Sequence, residues 1–434
     1  MRICMFTNTY LPHVGGVANS VAAFAEDLRY HGHGVLIVAP VYEREGEKPD
    51  GETDVLRLPA IQNFNGSDFS LRLPVPFVIE GKLDKFRPQI IHSHHPYLLG
   101  DTALRTARRR RLPLVFTHHT LYENYTHYVP LESKGMRRFV VRLSTEYANL
   151  CTRVIAPSKS ILDLLVKRGV TRPIVEIPTG VDTNFFSAGQ RERARRKLGL
   201  SEGNIVLGHL GRLAPEKNLE YLAAAAADYV KKDEHAWFLA VGSGPSEDEI
   251  KRAFARRSIR KRLIMAGQKA GSELADLYAA MDLFLFASRT ETQGMVLTEA
   301  MASGKPVIAL DASGVREVVR DRYNGRLLDA EAPVDDFSAA IAETIRDKDL
   351  MKRYGLAARK TANEFSREVC SKKLEDLYQS LEAEHARSRR REATDHQALT
   401  SIVERLKVEW ELAVGMTSAV VEAFASDDED IGVE

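Results

Sequence analysis

Residues 283–310 read LFLFASRTETQGMVLTEAMASGKPVIAL. A short apolar run is followed by a polar turn, a helix-length stretch and a second apolar run. Apolar runs of this length, bounded by turn signals, are buried strands. The unit is therefore strand–loop–helix–strand, which belongs in an α/β sheet. It sets Glu291 in the loop that leaves a strand, above the sheet edge where such folds bind ligands. Glu299 lies eight positions further on, about two helical turns along. Between them the free N–H groups from Gly294 through Met295 and Val296 suit an anion. Two carboxylates flanking a phosphate site fit a ligand with hydroxyl groups on both sides of a phosphate, as in a nucleotide-sugar. A bare Glu pair would be weak evidence in a chain with 60 acidic residues; its setting in this unit, ahead of small residues and Gly304-Lys305-Pro306, is what gives it weight.

At 434 residues the chain exceeds what one hydrophobic core normally serves, so two α/β domains are expected. The pattern agrees. Strands are read at 2–7, 34–39, 90–92, 114–117 and 153–156, with helices at 17–31, 102–110 and 134–150 and the end of another at 82–86. The segment IPTGVDTNFF at 177–186 carries Pro, Gly and an Asp turn and reads as a crossing between domains. A second series then begins, with strands at 204–210, 237–241 and 263–266 and helices at 219–231, 246–256 and 271–280, before the unit at 283–310. The last helix is read at 369–385. Beyond it come a basic patch at 387–391, an amphipathic helix at 399–414 and an acidic, disordered end at 426–434.

Composition narrows the function classes. With 44% hydrophobic and 28% charged residues the chain is ordinary globular protein. No apolar run approaches the roughly 20 residues of a membrane span, and the N-terminus enters a strand without a signal-peptide pattern. Three widely separated cysteines, Cys4, Cys151 and Cys370, indicate neither a disulfide framework nor a zinc cluster, and a reducing cytoplasm is expected. The net charge of +1 hides an asymmetry: residues 1–180 carry 23 basic and 17 acidic side chains. Much of that surplus is Arg105, Arg108–Arg111, Lys134, Arg137, Arg138 and Arg142. An anionic partner on that side, membrane or nucleic acid, is one reading, and a solvated helix face is the other.

Further residues bear on chemistry. In GRLAPEKN at 211–218, Arg212 and Lys217 could place two fixed cations on a departing diphosphate, where charge grows as the bond breaks. Arg grips phosphate bidentately and Lys acts as a point charge. Glycines at 242 and 244, and Gly267 followed by Gln268, mark strand exits where backbone could approach a base or phosphate, although tight turns explain them equally. Gly15-Gly16 after the first strand is not a G-x-G-x-x-G turn, and no acidic residue ends the second strand, which disfavours a dinucleotide dehydrogenase. His92, His94 and His95 follow one strand and His118 and His119 the next, so adjacent strand ends bring them to one rim. No carboxylate or cysteine completes a metal set with them, and neither metal nor cofactor is called for.

Four stretches carry a family resemblance. The Glu291/Glu299 segment resembles the E-x7-E signature of retaining glycosyltransferase family 4. Residues 211–217 resemble that family's G-R-L-x-x-E-K segment, and Gly15-Gly16 its first-strand loop. The stretch 117–130, THHTLYENYTHYVP, resembles the H-T-x-Y-E-x-Y-x-H-Y pattern of the bacterial diacylglycerol glucosyltransferases within family 4, as does ETQG at 291–294; Asn124 stands where an Asp is common. The resemblance covers residues 1–385. It implies an α/β fold of GT-B architecture, two Rossmann-like doubly wound domains facing a central cleft. The domains are expected at 1–185 and 186–365, with a helix at 366–386 packing back on the first domain and a charged extension at 387–434.

The resemblance also implies roles. Glu299 takes the ribose and Glu291 the hexose hydroxyls. Arg212 and Lys217 take the diphosphate, Gly267 and Gln268 lie near the base, Gly15 and Gly16 approach the phosphate and sugar, and His119 contacts the transferred hexose beside the reacting centre. The expected enzyme is a retaining hexosyltransferase, working without metal, that moves glucose from a UDP-sugar to diacylglycerol or a related lipid. It is expected to be cytoplasmic and peripheral on the inner face of the membrane. Tyr122 and Tyr125 are expected to meet the acceptor, or to pack under a loop. Arg137, Arg138 and Arg142 are expected on an anionic membrane surface, beside the stripe Met136, Phe139, Val140 and Leu143. The alternatives are the same chemistry on a soluble or polyprenyl-linked acceptor, a UDP-sugar epimerase, and a nucleic-acid-binding scaffold supported only by the arginine run.

Overall fold

The computed structural model describes residues 1–13, 15–41, 54–61, 71–72, 76–124 and 133–392. Tyr125, Tyr128, most of the expected acceptor loops, and the expected helix and acidic end beyond residue 392 lie outside the described residues. The chain divides into two compact units, Met1–Thr179 with the residues from Cys370 onward, and Gly180–Val369.

The first unit is a seven-stranded sheet. Its strands are β1 (Arg2–Phe6), β2 (Gly34–Pro40), β3 (Val55–Leu58), β6 (Ile90–Ser93), β7 (Leu114–Thr117), β8 (Arg153–Ala156) and β9 (Ile174–Glu176); β4 (Ala60–Ile61) and β5 (Leu71–Arg72) form a separate antiparallel pair. The order is β3-β2-β1-β6-β7-β8-β9, with every pair parallel. Helices α1 (Gly16–Tyr30), α2 (Pro76–Phe86), α3 (Leu99–Arg110), α4 (Lys134–Leu150) and α5 (Lys159–Lys167) cross between strands. Successive strand side chains point to opposite faces, and here both faces are covered. Cys4, Phe6, Leu36, Val38, Ile91 and Phe116 pack into one core; Ile3, Met5, Val35, Ile37, Ile90 and Val115 pack into the other. That double burial is why the strands read as unbroken apolar runs.

In the second unit α6 (Thr183–Ser187) and α7 (Arg191–Lys197) precede β10 (Ile205–Leu210). There follow α8 (Leu219–Lys232), β11 (Ala236–Val241), α9 (Glu247–Arg256), β12 (Leu263–Met265), α10 (Gly271–Ala280), β13 (Leu283–Phe286), α11 (Met295–Ala302), β14 (Val307–Leu310), β15 (Gly325–Leu328), α12 (Val334–Arg346) and α13 (Lys348–Glu364). The strand order is β12-β11-β10-β13-β14-β15, all parallel. This is the 3-2-1-4-5-6 winding of a Rossmann fold, which reverses direction between β10 and β13.

The last helix, α14 (Arg367–Glu392), is longer than expected and takes in the basic patch from 387. Its Cys370, Leu374, Leu377, Tyr378 and Leu381 recur at helical spacing and enter the first unit's core with Val21, Phe24 and Leu28 of α1.

Loops at the carboxyl edge of the second sheet are stitched backbone to backbone. The Leu213 amide donates to Ser243 at 3.0 Å, that of Ser246 to Leu213 at 2.8 Å and that of Gly242 to Gly267 at 2.9 Å. A Cβ on Gly242 would stand 1.9 Å from the Gly211 carbonyl oxygen, and φ at Gly242 is +130°. The glycines at 242 and 244 thus serve contact with the neighbouring loop's backbone. Gly242→Ala is expected to lower stability by about 3 kcal/mol, through overpacking added to backbone strain. Thermal and urea melts should show the loss, and an unchanged midpoint would contradict the close packing.

Candidate active site

Reversal of strand order parts the loops leaving β10 and β13, and the charged residues of the second unit collect there. Lys217 closes a single 3-10 turn, Pro215–Lys217, after β10. Its Nζ donates to Glu291 Oε1 at 2.5 Å, from the loop after β13. Both side chains are largely buried, at 18% and 13% exposure. The loops are further tied by Ser288 Oγ, which donates to the Glu216 carbonyl at 3.3 Å. Burial alone would raise the Glu291 pKa, but the Lys217 charge and hydrogen bond outweigh it and hold the carboxyl below its ordinary value. Arg212 lies exposed on the β10 loop. Beneath the pair His209 is buried and donates from Nδ1 to the Leu285 carbonyl at 3.1 Å. Burial lowers its pKa to about 4, with smaller opposing effects of Lys217 and Glu291.

Gly294 caps α11 at φ +68°, the left-handed conformation a side chain would strain. The N–H groups of the first turn, from Met295 and Val296, follow it. Gly314, after β14, fits against this loop: a Cβ there would meet the Gln293 nitrogen at 2.7 Å. Glu299, on the next turn of α11, accepts from Tyr278 Oη at 2.7 Å. Burial raises its pKa to about 7, and the Tyr278 hydrogen bond only partly opposes that. Gly267 sits at φ +68° after β12 with Gln268 exposed beside it. One sheet edge therefore gathers Arg212, Lys217, Gly267, Gln268, Glu291 and Gly294–Glu299. Sequence reading missed His209, Ser288, Tyr278 and Gly314; the one signal was a histidine in the otherwise apolar strand IVLGHL.

The first unit reverses between β1 and β6, and Asn8 is the latch there. Its backbone N–H donates to His95 Nδ1, its Nδ2 to the Tyr97 carbonyl, and its Oδ1 accepts from the Leu99 amide, each at 3.1 Å. Gly15 and Gly16 begin α1 at the far end of the same loop. His94 Nδ1 meets His119 Nε2 at 2.9 Å, so the two histidine groups do converge. Burial pushes His92, His95, His118 and His119 down to about 3 and His94 well below the usual histidine value, leaving all five neutral. Among the described residues no group of three or more His, Cys, Asp or Glu is arranged to hold a metal ion.

Tyr122 is buried, its ring edge-on to Tyr97 at 5.4 Å and to His118 at 5.8 Å, which fits the second of its two readings, packing under a loop. The arginine run is largely consumed by the fold. Arg109 and Arg110 pair with Glu80, and Arg110 also with Asp84 at 2.6 Å. Arg108 donates to the Leu150 carbonyl at 3.3 Å. The carboxylates of α2 answer charges that the sequence shows only as a local excess.

Two Rossmann-like units, one with a cation–carboxylate pair at its switch point, have the GT-B architecture that the resemblance implies. The family model for glycosyl transferases group 1 matches residues 190–361, and that for glycosyltransferase family 4 matches residues 14–185. An alpha-monoglucosyldiacylglycerol synthase of Streptococcus pneumoniae is 30% identical over 393 residues, 87% of this chain and 85% of its own. A GDP-mannose-dependent alpha-mannosyltransferase of Mycolicibacterium smegmatis is 33% identical over 367 residues, 83% and 92% of the two chains. Among solved structures, Anabaena HepE in complex with UDP has a TM-score of 0.69 at 21% identity, covering 88% of this chain and 100% of its own. Sucrose-phosphate synthase of Thermosynechococcus elongatus has 0.71 at 21%, covering 88% and 99%. The chain belongs to glycosyltransferase family 4.

Lys217→Ala leaves Glu291 buried without its cation and is expected to cost about 2 kcal/mol, while adding Glu291→Gln should return part of that loss. Urea titrations of the four proteins of this cycle check the coupling, and additive effects would deny it. Glu299 gives a pH signature. Its folded pKa, about 7, lies above the ordinary 4.5, so the protonated carboxyl is favoured by folding. Its stabilising contribution is full below about 4.5 and is lost as pH rises through 7. Glu299→Gln should therefore gain on the parent protein in melting temperature between pH 5 and 8, and a pH-independent difference would refute the shift.

Proposed function

We propose that this enzyme moves glucose from UDP-glucose to diacylglycerol or a related membrane lipid, with retention of anomeric configuration. The donor reading is supported by the glucosyl-transferring relative from Streptococcus pneumoniae and by the UDP bound to HepE, whose fold this chain shares. In the transfer an acceptor hydroxyl oxygen bonds to the anomeric carbon on the face from which the diphosphate departs. The carbon–oxygen bond to phosphate breaks, and the hydroxyl proton passes to the leaving phosphate oxygen. Arg212, Lys217 and the first-turn amides at Met295 and Val296 balance the charge that develops there. Glu291 uses one oxygen on Lys217 and has a second for hexose hydroxyls. Glu299 serves the ribose, Gly267 and Gln268 the base. Gly15, Gly16 and His119 contribute from the first unit in the roles the family resemblance implies.

A single observation carries the lipid acceptor. The buried residues of α4 are Val141, Ser144, Thr145, Tyr147 and Ala148. Met136, Phe139, Val140 and Leu143 form a different stripe, only partly covered, with Arg137, Arg138 and Arg142 beside it. An apolar stripe that is not the core face and is flanked by basic residues suits an interface with anionic lipid. Arg142 also pairs with Glu146 at 2.7 Å, one turn on. Among the described residues no helix is long and apolar enough to cross a membrane, so the membrane contact proposed is peripheral, on the inner face.

The test is a screen of radiolabelled UDP-glucose and GDP-mannose against diacylglycerol vesicles and water-soluble acceptors, with product followed by migration in organic solvent. GDP-mannose is included because of the 33% identical mannosyltransferase. Lipid-soluble label from UDP-glucose alone is expected, and transfer only to a soluble acceptor would overturn the lipid reading. Changing Arg137, Arg138 and Arg142 to Glu should abolish sedimentation with phosphatidylglycerol vesicles, since each basic residue contributes about 1 kcal/mol at such a surface. UDP affinity should be unchanged. Equal binding of the parent enzyme to neutral and anionic vesicles, insensitive to salt, would refute an electrostatic mechanism.

A further inference from the structure

Five histidines meet at the carboxyl ends of β6 and β7, His92 within β6 itself, and the proposed reaction uses only His119. His92 is clamped at both ring nitrogens, by Tyr378 Oη at 2.6 Å and Thr117 Oγ1 at 2.7 Å. Its ring lies against that of His94, 4.1 Å between centroids and 36° apart. His94 and His119 lie nitrogen to nitrogen with their rings close to one plane, centroids 5.2 Å apart and planes 26° apart. So α14, through Tyr378, fixes His92; His92 backs His94; and His94 bonds His119.

The proton between His94 Nδ1 and His119 Nε2 can belong to only one of them, because both rings are neutral. The far nitrogen of His94 decides which. His94 Nε2 is buried without a hydrogen-bond partner, and the residue is wholly enclosed. If His119 supplied the shared proton, neutral His94 would carry its own on Nε2, a buried N–H with no acceptor. If His94 supplies it, Nε2 is bare, and only a lone pair goes unanswered. An orphaned buried N–H is the rarer and costlier of the two.

We propose that His94 is a positioning residue that donates from Nδ1 to His119 Nε2 and so fixes His119 as the neutral tautomer protonated at Nδ1. His119 then enters the reaction as a hydrogen-bond donor and not as a base. The proton of the attacking hydroxyl is left to the departing phosphate oxygen. The catalytic part of this inference rests on the proposed role of His119 in the transfer.

The test begins with the intact chain labelled with [15N]histidine at neutral pH, His119 being assigned by the signals lost in His119→Gln. Expected are a protonated Nδ1 and a bare Nε2 for His119; a proton on Nε2 would overturn the tautomer assignment whatever the activity. Then His94→Ala should lower kcat about tenfold, as for one lost hydrogen bond in the transition state, with KM for the donor within about threefold. His94→Asn, which returns an N–H donor near Nδ1, should restore kcat to within about threefold of the parent. Rescue by Asn is a result that simple loss of packing would not produce, and equal losses in Ala and Asn would overturn the positioning role. Full activity of His119→Ala would instead overturn the role of His119 in the transfer, leaving the tautomer result to stand separately.

Discussion

A parallel sheet wound outward in both directions from its first strand has one place where consecutive exit loops part company. Both units of this chain are built on that constraint. In the second, the loops after β10 and β13 diverge, and the space is held by an ion pair, Lys217 with Glu291, rather than by apolar side chains. In the first, the loops after β1 and β6 diverge, and Asn8 ties them through three hydrogen bonds. Polar groups are concentrated at these edges because the parallel winding buries both faces of each sheet and leaves few other places for them.

The two glutamates on either side of the α11 start show how environment separates like groups. Glu291 meets a cation and is held ionised. Glu299 meets only a tyrosine hydroxyl in a dry setting, and its charge is disfavoured. Environment, not residue type, sets such differences. Both are already hydrogen-bonded in the chain by itself, which avoids the cost of leaving a buried acceptor unanswered. A ligand hydroxyl donating to either carboxylate would add to these contacts or replace them.

Much of this was legible before any coordinates. Strand runs such as LFLF and VIAL announce themselves because both sides are buried, and the helix at 134–150 falls where its apolar spacing puts it. The edge residues of the second unit were legible from the order of strand, turn and helix taken together with the family resemblance. What was not legible depends on contacts distant in sequence. Tyr278 reaches Glu299 across 21 residues, and Glu80 neutralises Arg110 across 30; neither pairing leaves a local mark. The glycines at 242 and 244 were open to nucleotide approach or to a tight turn, and their smallness answers a neighbouring loop.

The placement of α14 has a consequence for the order in which the protein is assembled. One face of the first sheet, with Ile3, Met5, Val35 and Ile37, is closed by α1 together with Cys370, Leu374, Tyr378 and Leu381 of the last helix. Those positions leave the ribosome only after the whole second unit has been made. Domains generally fold as units during synthesis, the N-terminal one first. Here the earlier unit must wait, with part of an apolar sheet face uncovered, while the later one has all of its own strands and can finish. The chain thus begins with the unit that is completed last, and its nascent form is the state in which that sheet most needs protection from aggregation.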